Sequence, residues 1–150
     1  MKRIIIIFAL MLCNSCNQSN NKPHSFYDHS KSGDLYRIPL IEPIQAVSPE
    51  ESYWYIDLPY SKKEKLVVGN NINVEKVGVY KKIIVAYQPN NGLNEVWMII
   101  KTDKKEQLFF TKKQEYLNNL KKEGIDSIKM YNAQEIFEEF KNKGVLPWLK

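Results

Sequence analysis

Residues 74–110 read VEKVGVYKKIIVAYQPNNGLNEVWMIIKTDKKEQLFF, and this stretch decides the fold. Its apolar segments are short, and polar turns separate them at residues 80–82, 89–92 and 102–105. The second segment, residues 83–87, is apolar throughout, which indicates a strand covered on both faces. The turn before the third apolar segment contains Asn91-Gly92, a pair typical of tight hairpins. Because the connections are short, the stretch predicts an antiparallel meander with strands at residues 74–79, 83–87, 96–100 and 107–110.

Two further extended segments precede this meander. Residues 53–58 alternate between apolar and polar positions, which predicts a strand with one buried face. Its two faces would carry Trp54, Ile56 and Leu58 on one side and Tyr53, Tyr55 and Asp57 on the other. Residues 35–44 are also extended, but Pro39 and Pro43 do not suit a central strand, so an edge strand or a strap is expected there. The predicted sheet has about five to six strands.

Two helices are predicted after the meander. Thr111 and Gln114 form a capping box for the first helix, and Gly124 ends it. The second helix carries the same three signals, at Asn132, Glu135 and Gly144. Strands followed by helices predict the α+β class, with both C-terminal helices packed on one face of the sheet. Residues 34–150 are long enough for a single domain of this kind.

The N-terminal segment predicts where the protein resides. Lys2 and Arg3 precede an apolar run at residues 4–12, and Cys13-Asn14-Ser15-Cys16 follows. A secretory signal typically has a basic start, a short apolar run and a small residue before its cleavage site. The apolar run at residues 4–12 is too short to span a bilayer. Ser15-Cys16 resembles the end of a bacterial lipoprotein signal. Residues 1–15 are therefore predicted to be a lipoprotein signal peptide, and Cys16 the acylated residue.

Two alternatives to acylation at Cys16 stay open. Acylation of Cys13 places Leu10 at the usual aliphatic position but puts Leu12, which is not small, beside the cut. The other alternative is an ordinary cleaved signal with incidental cysteines. By resemblance to the sorting rules of bacterial lipoproteins, Asn17 does not signal retention in the inner membrane. This favours a lipid-anchored protein of the cell envelope, on the outer membrane and facing the periplasm.

Residues 16–33 are predicted to be a flexible tether between the lipid and the domain. The segment is polar and rich in Asn and Ser, so it buries too little apolar surface to offset its ordering entropy. It holds both histidines of the chain, His24 and His29, which we interpret as solvated. The domain behind it has neither histidine nor cysteine, so we expect no metal site and no cofactor.

The residue types of the domain narrow its chemistry. Serine and cysteine nucleophiles usually need a histidine base, so a domain without histidine or cysteine is expected to be non-enzymatic. A carboxylate-based hydrolase is an alternative of lower rank, and its candidate acids lie in predicted turns or on solvent faces, at Asp57, Asp103 and Asp126. The chain has a net charge of +5, yet Arg37 is its only arginine after Arg3, so nucleic-acid binding is not expected. A mild excess of lysine favours a position of the domain near the anionic headgroups of membrane lipids.

Both ends of the domain carry a resemblance to a known family. Residues 35–43, LYRIPLIEP, and residues 144–148, GVLPW, are similar to the two ends of small uncharacterised lipoproteins of Bacteroidota-type bacteria. The resemblance implies a compact domain behind a lipid tether. Some small lipoproteins of this general kind serve as immunity proteins against toxins that act in the envelope. The C-terminal Trp148 is expected to pack onto the domain as a plug.

Tyrosines form the candidate binding surface. Tyr53 and Tyr55 share a predicted strand face, and Tyr60 follows them. If these tyrosines are exposed, they would anchor a protein partner or stack on sugar rings. If the helices cover them, they would belong to the core. The leading hypothesis is a lipid-anchored, non-enzymatic envelope protein that binds another protein, for example as an immunity or inhibitor factor. The alternative is a module that binds envelope glycan or peptidoglycan.

Overall fold

The structure is a computed structural model that describes residues 25–58, 73–89 and 94–149. Within these ranges a 3₁₀ helix at Ser25–Tyr27 precedes nine short strands and two α-helices. The first four strands are β1 (Lys31–Ser32), β2 (Leu35–Ile41), β3 (Ile44–Ser48) and β4 (Tyr55–Asp57). They are followed by β5 (Lys76–Tyr80), β6 (Ile83–Gln88), β7 (Val96–Lys101), β8 (Glu106–Phe110), α1 (Lys113–Lys122), β9 (Tyr131–Asn132) and α2 (Ala133–Lys143).

The predicted meander is confirmed as the larger of two antiparallel sheets. Its strand order is β8-β7-β6-β5-β9, so β5 to β8 lie in chain order and β9 adds to the β5 edge. Lys81 and Lys82 form the turn between β5 and β6, and Lys81 has a φ of 54°. The register pairs Tyr87 of β6 with Trp97 of β7. The predicted turn at Asn91-Gly92 lies outside the described residues.

The smaller sheet, also antiparallel, has the order β1-β2-β3-β4. Pro39 of β2 pairs with Gln45 of β3, whereas the two residues of β1 pair only with the start of β2. The prediction of an edge strand or a strap for residues 35–44 is therefore wrong, because β2 lies between β1 and β3. Pro39 is tolerated because β1 is too short to reach it, so it has a strand on one side only among the described residues. Its carbonyl accepts a hydrogen bond from Trp148 Nε1 at 3.1 Å. The half-buried Trp148 thus packs against the domain, as expected for a C-terminal plug.

Both faces of the five-stranded sheet are covered, as the apolar residues 83–87 predict. Ile84 and Ala86 face the main core, which the sheet shares with the smaller sheet and α2. Val85 faces the other side and packs with Trp97 and with Tyr116 of α1 in a second apolar cluster. The sheet is therefore the middle layer of the domain.

The α+β class is confirmed, but the two helices lie on different faces of the five-stranded sheet. Helix α1 packs against β7 and β8, whereas α2 packs against β2 and β9. Leu120 of α1 belongs to the second cluster, and Phe137 of α2 belongs to the main core. This corrects the prediction that both helices share one face. The physical reason is that β6 and β7 are apolar on both faces, so each face needs its own cover.

The ends of α2 follow the predicted signals, while the start of α1 does not. Asn132 is the N-cap of α2, and its side chain accepts a hydrogen bond from Glu135 N at 3.1 Å. Gly144 ends α2 with a φ of 67°, a conformation that glycine adopts without strain. Helix α1 instead begins after Lys112, which makes no side-chain capping bond. The predicted capping box at Thr111 is therefore wrong, because Thr111 lies one residue before the N-cap.

The folded domain begins before residue 34. The 3₁₀ helix and β1 both fall within residues 16–33, which the sequence assigns to the tether. Arg37 N donates a hydrogen bond to Ser30 O at 2.8 Å, and Tyr27 packs against the main core. The aromatic residues of this segment supply the apolar surface that its other residues lack, so it joins the domain. The predicted signal peptide, residues 1–15, lies outside the described residues.

Candidate functional site

The predicted tyrosine surface is accessible in part. Tyr53 is 38% exposed, and Tyr55 of β4 is half-buried. Trp54 and Ile56 are buried on the opposite side, so the predicted alternation of faces is confirmed. Tyr60, the third tyrosine of this group, lies outside the described residues.

The N-terminal segment covers part of the same sheet face. The register aligns Arg37, Val47 and Tyr55 across β2, β3 and β4. Arg37 Nη2 donates a hydrogen bond to the carbonyl of Phe26, and the guanidinium lies 4.7 Å from the Phe26 ring centroid. Burial lowers the pKa of Arg37, whose buried Nε has no hydrogen-bond partner among the described residues. This face is therefore closed in part by the chain itself, and the tyrosine surface is small.

The other residues predicted from the sequence are not brought into one site. Cys16 and the alternative Cys13 lie outside the described residues. The three candidate acids are exposed in three different parts of the fold, at Asp57, Asp103 and Asp126. Asp57 Oδ2 accepts a hydrogen bond from Gln45 Nε2 at 3.1 Å, which occupies one of its oxygens.

Within residues 25–58, 73–89 and 94–149 no group of three or more His, Cys, Asp or Glu side chains is arranged to hold a metal ion. No helix in the same ranges is long and apolar enough to cross a membrane.

A concave site of about 350 Å³ lies between α1 and the five-stranded sheet. We call it the aromatic groove, and its main lining residues are Tyr87, Trp97, Tyr116, Leu117, Ile128 and Met130. The rings of Tyr87 and Trp97 form its floor, with centroids 5.5 Å apart and planes inclined at 44°. Leu117 on α1 and residues 127–130 form its walls. Its volume falls in the range of sites that bind ligands or partner side chains.

Polar groups are placed at the rim of the aromatic groove. Tyr87 Oη donates a hydrogen bond to Glu95 Oε1 at 2.7 Å, and this bond raises the pKa of Tyr87 to about 12. Lys76 Nζ lies 5.6 Å from the Tyr87 ring centroid, and Lys113 stands on the α1 side. The neutral tyrosine hydroxyl does not cancel the charge of the Glu95 carboxylate, and Lys76 Nζ lies 3.7 Å from Glu75 Oε1, so the rim carries charges of both signs. The groove therefore favours an apolar side chain.

The sequence contained one signal for this groove, which the prediction of strands at residues 83–87 and 96–100 did not use. Alternation places Tyr87 with Val85 on one sheet face, and Trp97 with Ile99 on the same face. Tyr87 and Trp97 stand at the end of that face where α1 covers the sheet incompletely. That incomplete cover depends on the path of residues 123–130 and cannot be read from strand patterns.

A second concave site, of about 320 Å³, lies at the other end of α1. Lys101 is 9% exposed, and its Nζ lies 2.6 Å from Glu123 Oε1 and 2.9 Å from Glu106 Oε2. Lys104 Nζ is 3.4 Å from Glu123 Oε2. The hydrogen bonds between these groups raise the pKa of Lys101 and lower that of Glu123. The cluster ties the end of α1 to β7 and β8, and its charges balance one another.

The chain matches no protein-family model, no curated protein and no solved structure. Its function therefore has to be inferred from its own residues.

Proposed function

We propose that this chain is a lipid-anchored, non-enzymatic envelope protein that binds another protein through the aromatic groove, as an immunity or inhibitor factor does. The observation that carries this proposal is the groove itself, with an aromatic floor of Tyr87 and Trp97 and half-buried apolar walls. Binding energy at protein interfaces concentrates where large apolar side chains meet in a desolvated pocket. The groove offers such a pocket at the surface of a small domain.

The chemistry of the groove defines the partner segment that fits it. A partner leucine or aromatic side chain would pack between Leu117 and Met130 and displace water from the Tyr87 ring. The rim has charges of both signs, because Lys76 Nζ lies 3.7 Å from Glu75 Oε1 and Glu95 accepts the bond from the Tyr87 hydroxyl. Rim charges contribute more to specificity and association rate than to affinity. We therefore expect a partner segment with one buried apolar anchor.

Co-purification tests this interface directly. The full chain, and a variant carrying Leu117→Asp, would be extracted from membranes in mild detergent and their bound proteins compared by mass spectrometry. Leu117 is half-buried on α1 and packs against the second apolar cluster, so a carboxylate at this position disrupts the groove, and an unchanged circular dichroism spectrum would show that the variant is folded. Val145→Asp is the matched control, because Val145 is 51% exposed and lies outside the groove. A stoichiometric partner lost with Leu117→Asp and kept with Val145→Asp supports the proposal, and a partner kept by both contradicts it.

The proposed anchor is acylation of Cys16, on the outer membrane and facing the periplasm. The support is the basic, apolar and small-residue pattern of residues 2–16 and its resemblance to a lipoprotein signal. Two or more acyl chains hold a protein on a membrane stably, whereas one chain does not. The intact mass of the N-terminal peptide from the purified chain tests the proposal. Acyl groups on Cys16 support it, acyl groups on Cys13 select the alternative, and an unmodified N-terminus contradicts both.

A second candidate function is binding of envelope glycan or peptidoglycan by the tyrosine surface. The observation that favours it is the exposure of Tyr53, which lies two residues before the half-buried Tyr55 at the start of β4. Co-sedimentation of the full chain with isolated peptidoglycan tests it, with a Tyr53→Ala variant. Tyr80→Ala is the matched control, because Tyr80 is also exposed but lies on the other sheet. Sedimentation that falls with Tyr53→Ala alone would favour the glycan module over the protein interface.

A further inference from the structure

Seven lysines of the described residues gather at one end of the five-stranded sheet. The β5–β6 and β7–β8 turns lie together there, because Ile83 pairs with Lys101 and Thr102 N donates a hydrogen bond to Lys82 O at 3.0 Å. The last turn of α1 reaches the same end, where Glu123 contacts Lys101. We call this region the basic end, and its lysines are Lys81, Lys82, Lys101, Lys104, Lys105, Lys121 and Lys122.

The carboxylates of the basic end leave most of these lysines unpaired. Glu106 and Glu123 are engaged by Lys101 and Lys104 in the cluster described above. The other five lysines are exposed and have no ion-pair partner among the described residues. Seven lysines against Asp103, Glu106 and Glu123 give a net charge of +4, whereas the described residues together carry 15 Lys and Arg against 16 Asp and Glu, a net charge of −1. Counting Asp126, which follows the helix end, still leaves +3.

An aromatic side chain accompanies the lysines at this end. Tyr80 is 44% exposed, and Lys81 Nζ lies 5.2 Å from its ring centroid. Tyrosine is enriched where proteins meet the headgroup layer of a bilayer, because its ring and hydroxyl suit the two sides of that layer. Lysines near an anionic membrane surface add about fivefold each to the partition coefficient. Exposed lysines around one exposed tyrosine match such a surface.

We infer that the basic end binds the anionic headgroups of a phospholipid bilayer and holds the domain against it in one orientation. Lipid is favoured over nucleic acid because lysine is a point charge that suits a diffuse layer of headgroups, whereas planar phosphate and base recognition favours arginine. Arg37 is the only arginine among the described residues, and it is buried in the smaller sheet. The basic end lies apart from the aromatic groove, so this inference stands independently of the proposed protein partner.

Lysine acetylation footprinting of the full chain tests the inference. The chain would be labelled on vesicles of phosphatidylcholine alone and on vesicles with about a quarter phosphatidylglycerol, and each site followed by mass spectrometry. We expect labelling of the five unpaired lysines to slow at least roughly fivefold on the anionic vesicles, and to recover at about 1 M salt. Lys112 and Lys143, which are exposed elsewhere in the fold, are internal controls and should label equally on both.

A charge-reversed variant completes the test. Lys82→Glu, Lys105→Glu and Lys122→Glu together remove no ion pair among the described residues, so folding is preserved. In this variant Lys81 and Lys121 report on the surface and should lose their protection. The matched control carries Lys31→Glu, Lys113→Glu and Lys129→Glu, which also remove no ion pair among the described residues. In this control Lys81 and Lys121 should keep their protection. Equal labelling of the basic end on both vesicles, or protection by added RNA but not by anionic vesicles, would overturn the inference.

Discussion

Gly78 of β5 offers the sharpest test of how residues 123–130 are held on the sheet. A Cβ atom at this position would stand 2.4 Å from the carbonyl oxygen of Lys129. It would also stand 3.1 Å from Val85 Cγ2 and 3.2 Å from Ile128 Cγ2. Glycine in a strand often marks such a close backbone approach. The substitution Gly78→Ala is therefore expected to push the segment that carries Lys129 away from the sheet.

The size of the effect follows from these distances. Real Cβ contacts stay above 3.0 Å, so the gap of 2.4 Å has to open by at least 0.6 Å, and the obstacle is backbone rather than a flexible side chain. Overpacking of this kind costs about 1–3 kcal/mol, while the lower entropy of unfolded alanine returns about 0.4–1 kcal/mol. We expect a net loss of about 1–2 kcal/mol in the free energy of unfolding. For a domain of this size, Tm falls by roughly 4–8 °C.

Urea unfolding followed by circular dichroism measures this loss, with an Ile128→Ala background as the control. Trimming Ile128 removes the contact at 3.2 Å but leaves the Lys129 carbonyl in place. Gly78→Ala should therefore cost the same in both backgrounds, and a double-mutant cycle should show little coupling. A wild-type midpoint for Gly78→Ala would refute the reasoning. So would a cost that disappears in the Ile128→Ala background, because the obstacle would then be the side chain.

Two further predictions concern the start of α2 and the ion pair between Lys101 and Glu123 at the basic end. Asn132→Ala removes the acceptor for Glu135 N and should lower the free energy of unfolding by about 1 kcal/mol in urea, whereas Asn132→Asp retains it; equal midpoints for the two variants would contradict this. The hydrogen bond from Lys101 lowers the pKa of Glu123 in the folded state, so the native protein binds fewer protons than the unfolded chain. The resulting contribution to the free energy of unfolding is fully present above the pKa that glutamate has in the unfolded chain. It is lost as the pH falls through the lowered pKa of Glu123 in the folded state. The urea midpoint of Glu123→Gln should therefore fall less steeply as the pH is lowered than that of the wild type, and Glu139→Gln is the control. A pH dependence of Glu123→Gln equal to that of the wild type would contradict this prediction.

Local patterns predicted much of the fold because their causes are local. The meander of β5 to β8 follows from short turns between apolar segments, and α2 follows from Asn132 at its start and Gly144 at its end. The predicted capping box at Thr111 is wrong because Lys112 is the N-cap of α1. The alternation in residues 53–58 correctly separated buried Trp54 from exposed Tyr53. Each success depended on contacts within a few residues of one another.

The sites were harder to predict because their residues are far apart in the chain. The aromatic groove joins Tyr87 and Trp97 on two strands to Leu117 on a helix and to residues 127–130. The basic end joins two turns and a helix end, so its lysines look dispersed in the sequence and come together through strand register. The N-terminal segment joined the domain through Phe26 and Tyr27, whose packing its polar composition concealed.

The sequence by itself determined the α+β class, the order of the main strands and the ends of α2, since each depends on residue types at short spacing. The tertiary structure alone decided which sheet face each helix covers, where the sheet is left open as a groove, and where the lysines gather. Those features depend on how apolar faces are covered by segments distant in the chain. Covering both faces of β6 and β7 required α1 and α2 on opposite sides, and the path between them created the groove.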